Sequence, residues 1–331
     1  MAKKYHVYGM GNALVDIVTE VTDSFIADHA IEKGVMTLVD ENRQTELVSA
    51  IDIQNADRQC GGSAANTMIG AGQFGGSCYY SCKVARDEWG DFYLDDLAAN
   101  KVDTALAKDS LQAGITGKCL VMTTDDAERT MNTFLGITAT YSEAEINRTA
   151  LANSDYLYIE GYLITGDESR QAMKSAKAYA ESQNVKTSIT LSDPFVASVF
   201  KEQMRDVIGT GVDLLFCNED EAKSFTDTAT IEDAKEALKK YAKSYAITQG
   251  AKGAFIFDGQ EYIEIKPFPT EALDTNGAGD MFAGAFLYGI TNGLSWTKSG
   301  ELASLASSTI VSKFGPRITA DQAQDLLRTL S

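Results

Sequence analysis

The segment Asp274-Thr-Asn-Gly-Ala-Gly-Asp280 sets a run of small residues directly before the apolar stretch Met281–Gly289. Gly277, Ala278 and Gly279 let the backbone come close to an anion, and the unpaired N–H groups that open a helix lie at the positive end of its dipole. Such a turn is an anion hole. An acid in a first helical turn often serves only as a favourable end charge. Beside a phosphate that charge helps only if it takes a proton, so Asp280 is the candidate base for phosphoryl transfer to an alcohol.

Three weaker signals accompany it. Asn218-Glu-Asp-Glu221 follows the apolar run Asp213–Cys217. On a helix, Asn218 and Glu221 share a face at the carboxyl end of a strand, where oxygen donors suit hydrated Mg²⁺. The same residues also spell a capping box, which is the commoner use of that spacing. Gly61-Gly62-Ser-Ala-Ala-Asn66 and Gly9-Met-Gly11-Asn12-Ala-Leu-Val-Asp16 are glycine turns in which Asp16 and Asn66 supply an acceptor and a donor for vicinal hydroxyls. Arg129 follows Asp-Asp-Ala-Glu and suits either a phosphate or a surface ion pair.

Two familiar phosphate motifs are excluded. Gly9-x-Gly11 is followed by Leu14 where a dinucleotide fingerprint needs Gly, and Asp16 comes too early to meet a ribose. Gly117-Lys118 precedes Cys119 and lacks the upstream glycine of a P-loop. His6 and His29 form neither a metal nor a triad spacing.

The elements that must position these residues alternate. Compact apolar runs at Tyr5–Gly9, Ser77–Val84, Tyr156–Glu160, Thr187–Leu191, Asp213–Cys217 and Tyr245–Thr248 read as strands. Helical spacing recurs at Ala64–Phe74, Glu88–Asn100, Ser142–Ala152, Glu168–Ser182, Glu221–Phe225, Ile231–Ala242, Ala278–Asn292, Ser295–Lys313 and Thr319–Leu330. That alternation predicts a mostly parallel sheet covered by helices. Asp16–Val39 and Gly117–Ile137 read as extended segments, either a small β lid or edge strands of the main sheet.

Composition narrows the class. The 331 residues carry 29 Lys+Arg against 47 Asp+Glu, a net charge of −18, which argues against a nucleic-acid or anionic-membrane surface. Five cysteines without paired spacing read as reduced thiols, and no apolar run is long enough for a signal peptide or a membrane span. The expectation is a soluble, cytoplasmic protein.

In this order and at these separations, Gly61-Gly62…Asn66, Asn218-x-x-Glu221 and Asp274–Asp280 resemble the ribokinase-like (PfkB) carbohydrate kinase family over nearly the whole chain. The resemblance implies one α/β kinase domain over 1–331. Its three layers are a mostly parallel central sheet flanked by helices, with a β-sheet lid from inserted segments at about 16–40 and 117–137. It implies ATP and Mg²⁺, with a monovalent cation such as K⁺ as an option, and transfer of the γ-phosphoryl to a primary alcohol. The partner is a small molecule, and the protein is a monomer or homodimer. By the same resemblance Asp280 is the base; Gly277, Ala278 and Gly279 form the anion hole, with Arg129 in the catalytic set. Asn218 and Glu221 organise metal and phosphates, while Asn12, Asp16, Gly61, Gly62 and Asn66 match positions that hold sugar hydroxyls. Thr248-Gln-Gly250-Ala-Lys-Gly253 is similar to the nucleotide-side loop, which Thr275 joins.

Gly11-Asn-Ala-Leu-Val-Asp16, Thr190-Leu-Ser-Asp-Pro-Phe195 and Ile247-Thr-Gln-Gly250 are closest to adenosine kinase-type members. That implies a ribosyl substrate such as a purine nucleoside, on which Tyr162 can stack; a buried core role suits Tyr162 equally well. Asp193 and Ala13 depart from the small residue and the Pro usual there. A free sugar or sugar acid (ribose, fructose, ketodeoxygluconate) therefore stays open as substrate. So does a non-catalytic nucleoside or sugar sensor, which would have no need of Asp280.

Overall fold

Strands whose residues are apolar on both faces must be covered on both faces. The computed structural model, which describes residues 3–51, 56–126 and 128–330 (of Arg129 the backbone alone), builds a nine-stranded sheet from such strands. They are β1 (Tyr5–Met10), β5 (Cys78–Ser81), β6 (Val102–Asp103), β9 (Ser154–Ile159), β10 (Lys186–Thr190), β11 (Val212–Asn218), β12 (Ala242–Thr248), β13 (Ala254–Phe257) and β14 (Tyr262–Ile265). Their order is β14-β13-β12-β11-β10-β9-β1-β5-β6, parallel except for the hairpin strands β13 and β14 at one edge. Asp258-Gly259 turns that hairpin, Gly259 taking φ +103°.

Side chains alternate across this sheet into two separate cores. Val7, Tyr158, Leu214 and Phe216 enter one, with Met68, Phe286 and Leu302 from the helices. Tyr8, Leu157, Ile159 and Leu215 enter the other, with Met173 and Met204. The result is helix, sheet, helix in three layers.

A second sheet of five strands has the order β3-β8-β7-β2-β4. It comprises β2 (Leu14–Glu20), β3 (Met36–Leu38), β4 (Asp57–Gly61), β7 (Gly117–Thr123) and β8 (Arg129–Phe134). One of its faces carries Ile17, Leu120 and Met122, which pack with Ile26 and Leu47 from two covering helices. Trp89 touches both this cluster and the first core, with Arg58 and Lys118 lying 5.6 and 5.4 Å from its ring centre.

Local capping explains where the structure departs from the periodicity. Asp16–Val39 is not extended throughout: Thr22 Oγ1 accepts from the Phe25 N–H at 3.2 Å and starts the helix Asp23–Asp28. Asp40 likewise caps Glu41–Ala50, accepting from the Arg43 N–H at 2.8 Å. Ser142–Ala152 is broken: Ser142 and Glu145 form a capping box on a single 3₁₀ turn, and Asn147 caps a fresh helix at Arg148. β4 belongs to the small sheet although it lies outside the segments expected to form it. Ile231–Ala242 ends at Leu238, since Ala242 already pairs in β12.

Among the described residues no helix is long and apolar enough to cross a membrane, and all five cysteines are buried. The chain steps from β1 to β5 on one side and to β9 on the other, so the carboxyl ends of these strands flank a topological switch, the usual crevice for a ligand.

Candidate active site

The helix Ala278–Thr291 begins at this crevice. Its N-cap is Gly277 in the left-handed region, φ +71°, with no side chain capping the first turn. An added Cβ on Gly277 would overlap Pro316, whereas one on Gly279 would meet nothing within 4 Å, so the turn is backed on one side and open on the other. Asp274 braces it: Oδ1 accepts from the Asn276 N–H at 2.9 Å and Oδ2 from the Gly315 N–H at 3.0 Å. A helix start without a side-chain cap, open on one side, has the form that an anion-binding turn requires.

Asp280 sits in that first turn, half-buried. The helix packs close to Ser63–Gln73 because Gly284 has no side chain; a Cβ there would reach to 2.5 Å from the Thr67 carbonyl. That contact brings Ser63 Oγ to 2.6 Å and Asn66 Nδ2 to 3.2 Å from the two Asp280 oxygens. Burial raises the Asp280 pKa to about 6, against the pull of these two donors. A carboxylate so poised accepts a proton near neutral pH.

The neighbouring wall of the crevice is built from β2, β4 and the helix Ser63–Gln73 into which β4 leads. Asp16, buried on β2, stands opposite Gln59 and beside Gly61, where any Cβ would overlap its carboxylate. Gly62 takes φ +97° at the start of Ser63–Gln73. Asn66 is buried, and its Oδ1 has no hydrogen-bond partner among the described residues. A buried acceptor without a partner beside Asp280 is free to take a hydroxyl from a ligand.

Asn12 makes hydrogen bonds within the protein. Its N–H and Nδ2 donate to Glu160 Oε1 at 3.2 and 3.0 Å, and its carbonyl accepts from Tyr80 OH at 2.8 Å. It is a structural hub, its polar groups spent within the protein. Glu160 is the residue that sequence reasoning passes over. It is 1% exposed, and Oε2 accepts from the Ala64 N–H at 2.8 Å. Burial pushes its pKa up to about 7, with the charge of Asp280 adding and the bonds from Ala64 and Asn12 opposing. An acid closing the buried run Tyr156–Ile159 was the available signal. Tyr162 follows in a 3₁₀ turn, partly buried against the second core. Its hydroxyl is held neutral by burial and by the charges of Asp193, Asp280, Glu160 and Glu221, so it borders both core and crevice.

At the carboxyl end of β11, Asn218 and Glu221 form a full capping box. The Asn218 N–H donates to Glu221 Oε2 at 3.0 Å, its Nδ2 to Oε1 at 2.6 Å, and the Glu221 N–H to Asn218 Oδ1 at 2.8 Å. Burial raises the Glu221 pKa to about 7, helped by the charges of Asp193, Asp280 and Asp220 and opposed by the Asn218 N–H. Among the described residues no three His, Cys, Asp or Glu side chains gather tightly enough to hold a metal by themselves. Glu221, kept hard to ionise chiefly by burial, is nevertheless an oxygen donor that a hydrated cation would relieve, and with Asn218 it would fit Mg²⁺ shared with phosphates. Thr248 pairs with Asn218 across β11 and β12. Gly250 and Gly253 take φ +54° and +96° in the loop beyond, where Gln249 Nε2 donates to Glu219 Oε2 at 2.7 Å. Thr275 is exposed on the phosphate turn, its carbonyl accepting from the Ala278 N–H at 3.3 Å. The Arg129 side chain lies outside the described residues.

An open helix start carrying a half-buried carboxylate beside a small sheet fits a phosphotransferase with an alcohol acceptor. The sequence matches the pfkB family carbohydrate kinases over residues 34–323, and the chain belongs to that family, whose kinases use ATP. It is 26% identical over 330 residues to Adenosine kinase 2 of Arabidopsis thaliana, spanning 93% of this chain and 94% of that one. Of solved structures, the adenosine kinase from Sinorhizobium meliloti superposes with a TM-score of 0.89 at 32% identity, covering 98% and 99% of the two chains. A probable sugar kinase from Rhizobium etli gives 0.90 at 32%, covering 99% and 100%.

Proposed function

We propose that the protein transfers the γ-phosphoryl group of ATP to the primary hydroxyl of a purine nucleoside such as adenosine. The observation that carries this reading is the face of the small sheet that bears Asp16. Cross-strand register sets Asp16, Cys119, Thr133 and Leu38 in one row, and Val18, Val121, Met131 and Met36 in the next. Leu38 and Met36 are 58% and 41% exposed, although their sheet buries its own core on the opposite face. An apolar surface beginning beside a hydroxyl-binding acid suits a flat heteroaromatic base attached to a ribose. A free sugar would instead need polar partners along its length. Two of the similar proteins are called adenosine kinases, which supports the same choice.

Asp16, Gly61, Gly62 and Asn66 would hold the ribose. Asp280 would accept the proton of the attacking hydroxyl, and the open backbone of the Gly277–Ala278–Gly279 turn would meet the phosphoryl oxygens. Glu221 and Asn218 would hold Mg²⁺ through water, the cation supplying neutralisation of phosphate charge. Closing the small sheet over the crevice excludes water.

The test is ADP release measured with adenosine, other nucleosides, ribose, fructose and ketodeoxygluconate. Adenosine or a close purine nucleoside is expected to give the highest kcat/KM. A free sugar or sugar acid matching or exceeding every nucleoside would overturn the substrate assignment, a result the likeness to the R. etli protein keeps worth measuring.

A further inference from the structure

We infer that Arg317 is a positioning residue, fixing the spacing between the turn that meets phosphate and the turn that meets the alcohol without touching either ligand. This rests on the roles given above to those two turns. Three consecutive residues make the connection. Gly315 donates its N–H to Asp274 Oδ2 at 3.0 Å, bracing the phosphate turn. Pro316, buried, lies directly behind Gly277. Arg317 then reaches β4, where Nη1 donates to Asp96 Oδ2 at 2.8 Å and Nη2 to the Cys60 carbonyl.

The same Asp96 oxygen accepts from the Cys60 N–H at 2.7 Å. One ion pair therefore holds both main-chain polar groups of the residue that precedes Gly61-Gly62. Its side chains are 13% and 19% exposed, so this is not a solvated surface pair of negligible value. Burial alone would raise the Asp96 carboxyl, but the Arg317 charge and the Cys60 N–H outweigh it and hold it below the usual range. Removing the guanidinium would leave a buried carboxylate and a carbonyl without their donor, and β4 free to shift. In-line transfer is unforgiving of such shifts, because a misplacement of about 1 Å can lower the rate about a hundredfold.

Arg317 and Asp96 also line an open cavity of about 900 Å³ at the amino ends of β1 and β5, with Gln73, Asn100 and Lys101. A small cation can therefore reach the place of a truncated Arg317 from solvent. That access gives a test by chemical rescue.

Wild type, Arg317→Lys and Arg317→Ala are compared in steady state with ATP and the substrate selected by the panel above, with and without millimolar guanidinium. Arg317→Ala is expected to lose about ten- to a hundredfold in kcat while both KM values stay within about threefold. Guanidinium should restore it severalfold and leave wild type unchanged, with Arg317→Lys lying between. A kcat within twofold of wild type, or a loss that guanidinium does not relieve in protein with a normal unfolding transition, would overturn the inference. If Arg317→Ala does not fold, Arg317→Lys and Asp96→Asn carry the same comparison of kcat with KM. Wild type inert toward every substrate would instead count against the proposed function, a separate outcome.

Discussion

Two helices begin at the same crevice, and they begin in opposite ways. Ala278–Thr291 opens on Gly277 with no side chain over its amides. Glu219–Thr226 opens on Asn218, which together with Glu221 closes its own first turn. Both carry acids at the start. The difference shows that an acid near a helix start says little until the N-cap is known: glycine leaves the amides for a ligand, whereas asparagine consumes them. In the proposed reaction the first helix would contribute its backbone and Asp280; in the second, Glu221 caps the first turn.

The largest effect should follow from Asp280→Asn. It keeps the size of the group while removing its capacity to take a proton, so kcat is expected to fall by about two to four orders of magnitude with little change in either KM. The pH profile sharpens this. With the Asp280 pKa at about 6, the carboxylate is protonated as pH drops below that value, and wild-type kcat/KM should then decline with each unit of acidity. The variant should lose that limb. An Asp280→Asn enzyme of near-normal rate would end the contrast between the two helices.

Gly277→Ala should come second. It forces a Cβ into the left-handed region against Pro316, at a cost of about 1–2 kcal/mol for the conformation alone. Displaced amides should raise KM for ATP and lower kcat, together about ten- to a hundredfold, read by nucleotide titration beside a melting curve. If only the melting temperature moves, the open helix start is not an anion site.

Glu221→Gln should be mildest. Glutamine can still reach back to the Asn218 N–H, so stability should fall by about 1 kcal/mol or less. The informative readout is the Mg²⁺ concentration needed for half-maximal rate, expected to rise about tenfold or less as one oxygen charge is lost. An unchanged requirement would leave Glu221 a cap alone.

What was legible in the sequence was what is local. The small-residue turn before Met281 announces both an open backbone and the helix after it, because its partners are its neighbours. Buried strands such as Val212–Asn218 are evident from continuous apolar runs. Glu160 escaped because its partners lie 148 and 96 residues away, at Asn12 and Ala64, and an acid at a strand end looks like any loop residue. The helices at Asp23 and Glu41 were hidden by weak apolar periodicity; a single capping side chain decides each of them. β4, whose segment Asp57–Gly61 has no apolar alternation, forms because β2 offers it an edge.

The small sheet is more than a flap of backbone. Ile17, Ile26, Leu47, Leu120 and Met122 give it a hydrophobic centre of its own, and Trp89 is where that centre meets the body. A unit stabilised from within can swing as a rigid body, its displacement absorbed by a few dihedrals where β2, β4, β7 and β8 join the larger sheet. Such a swing would leave that centre intact, while Val15 and Cys60, which pack into the larger core, would have to shift with it, so the free energy between open and closed would be set by that packing and by what occupies the cleft.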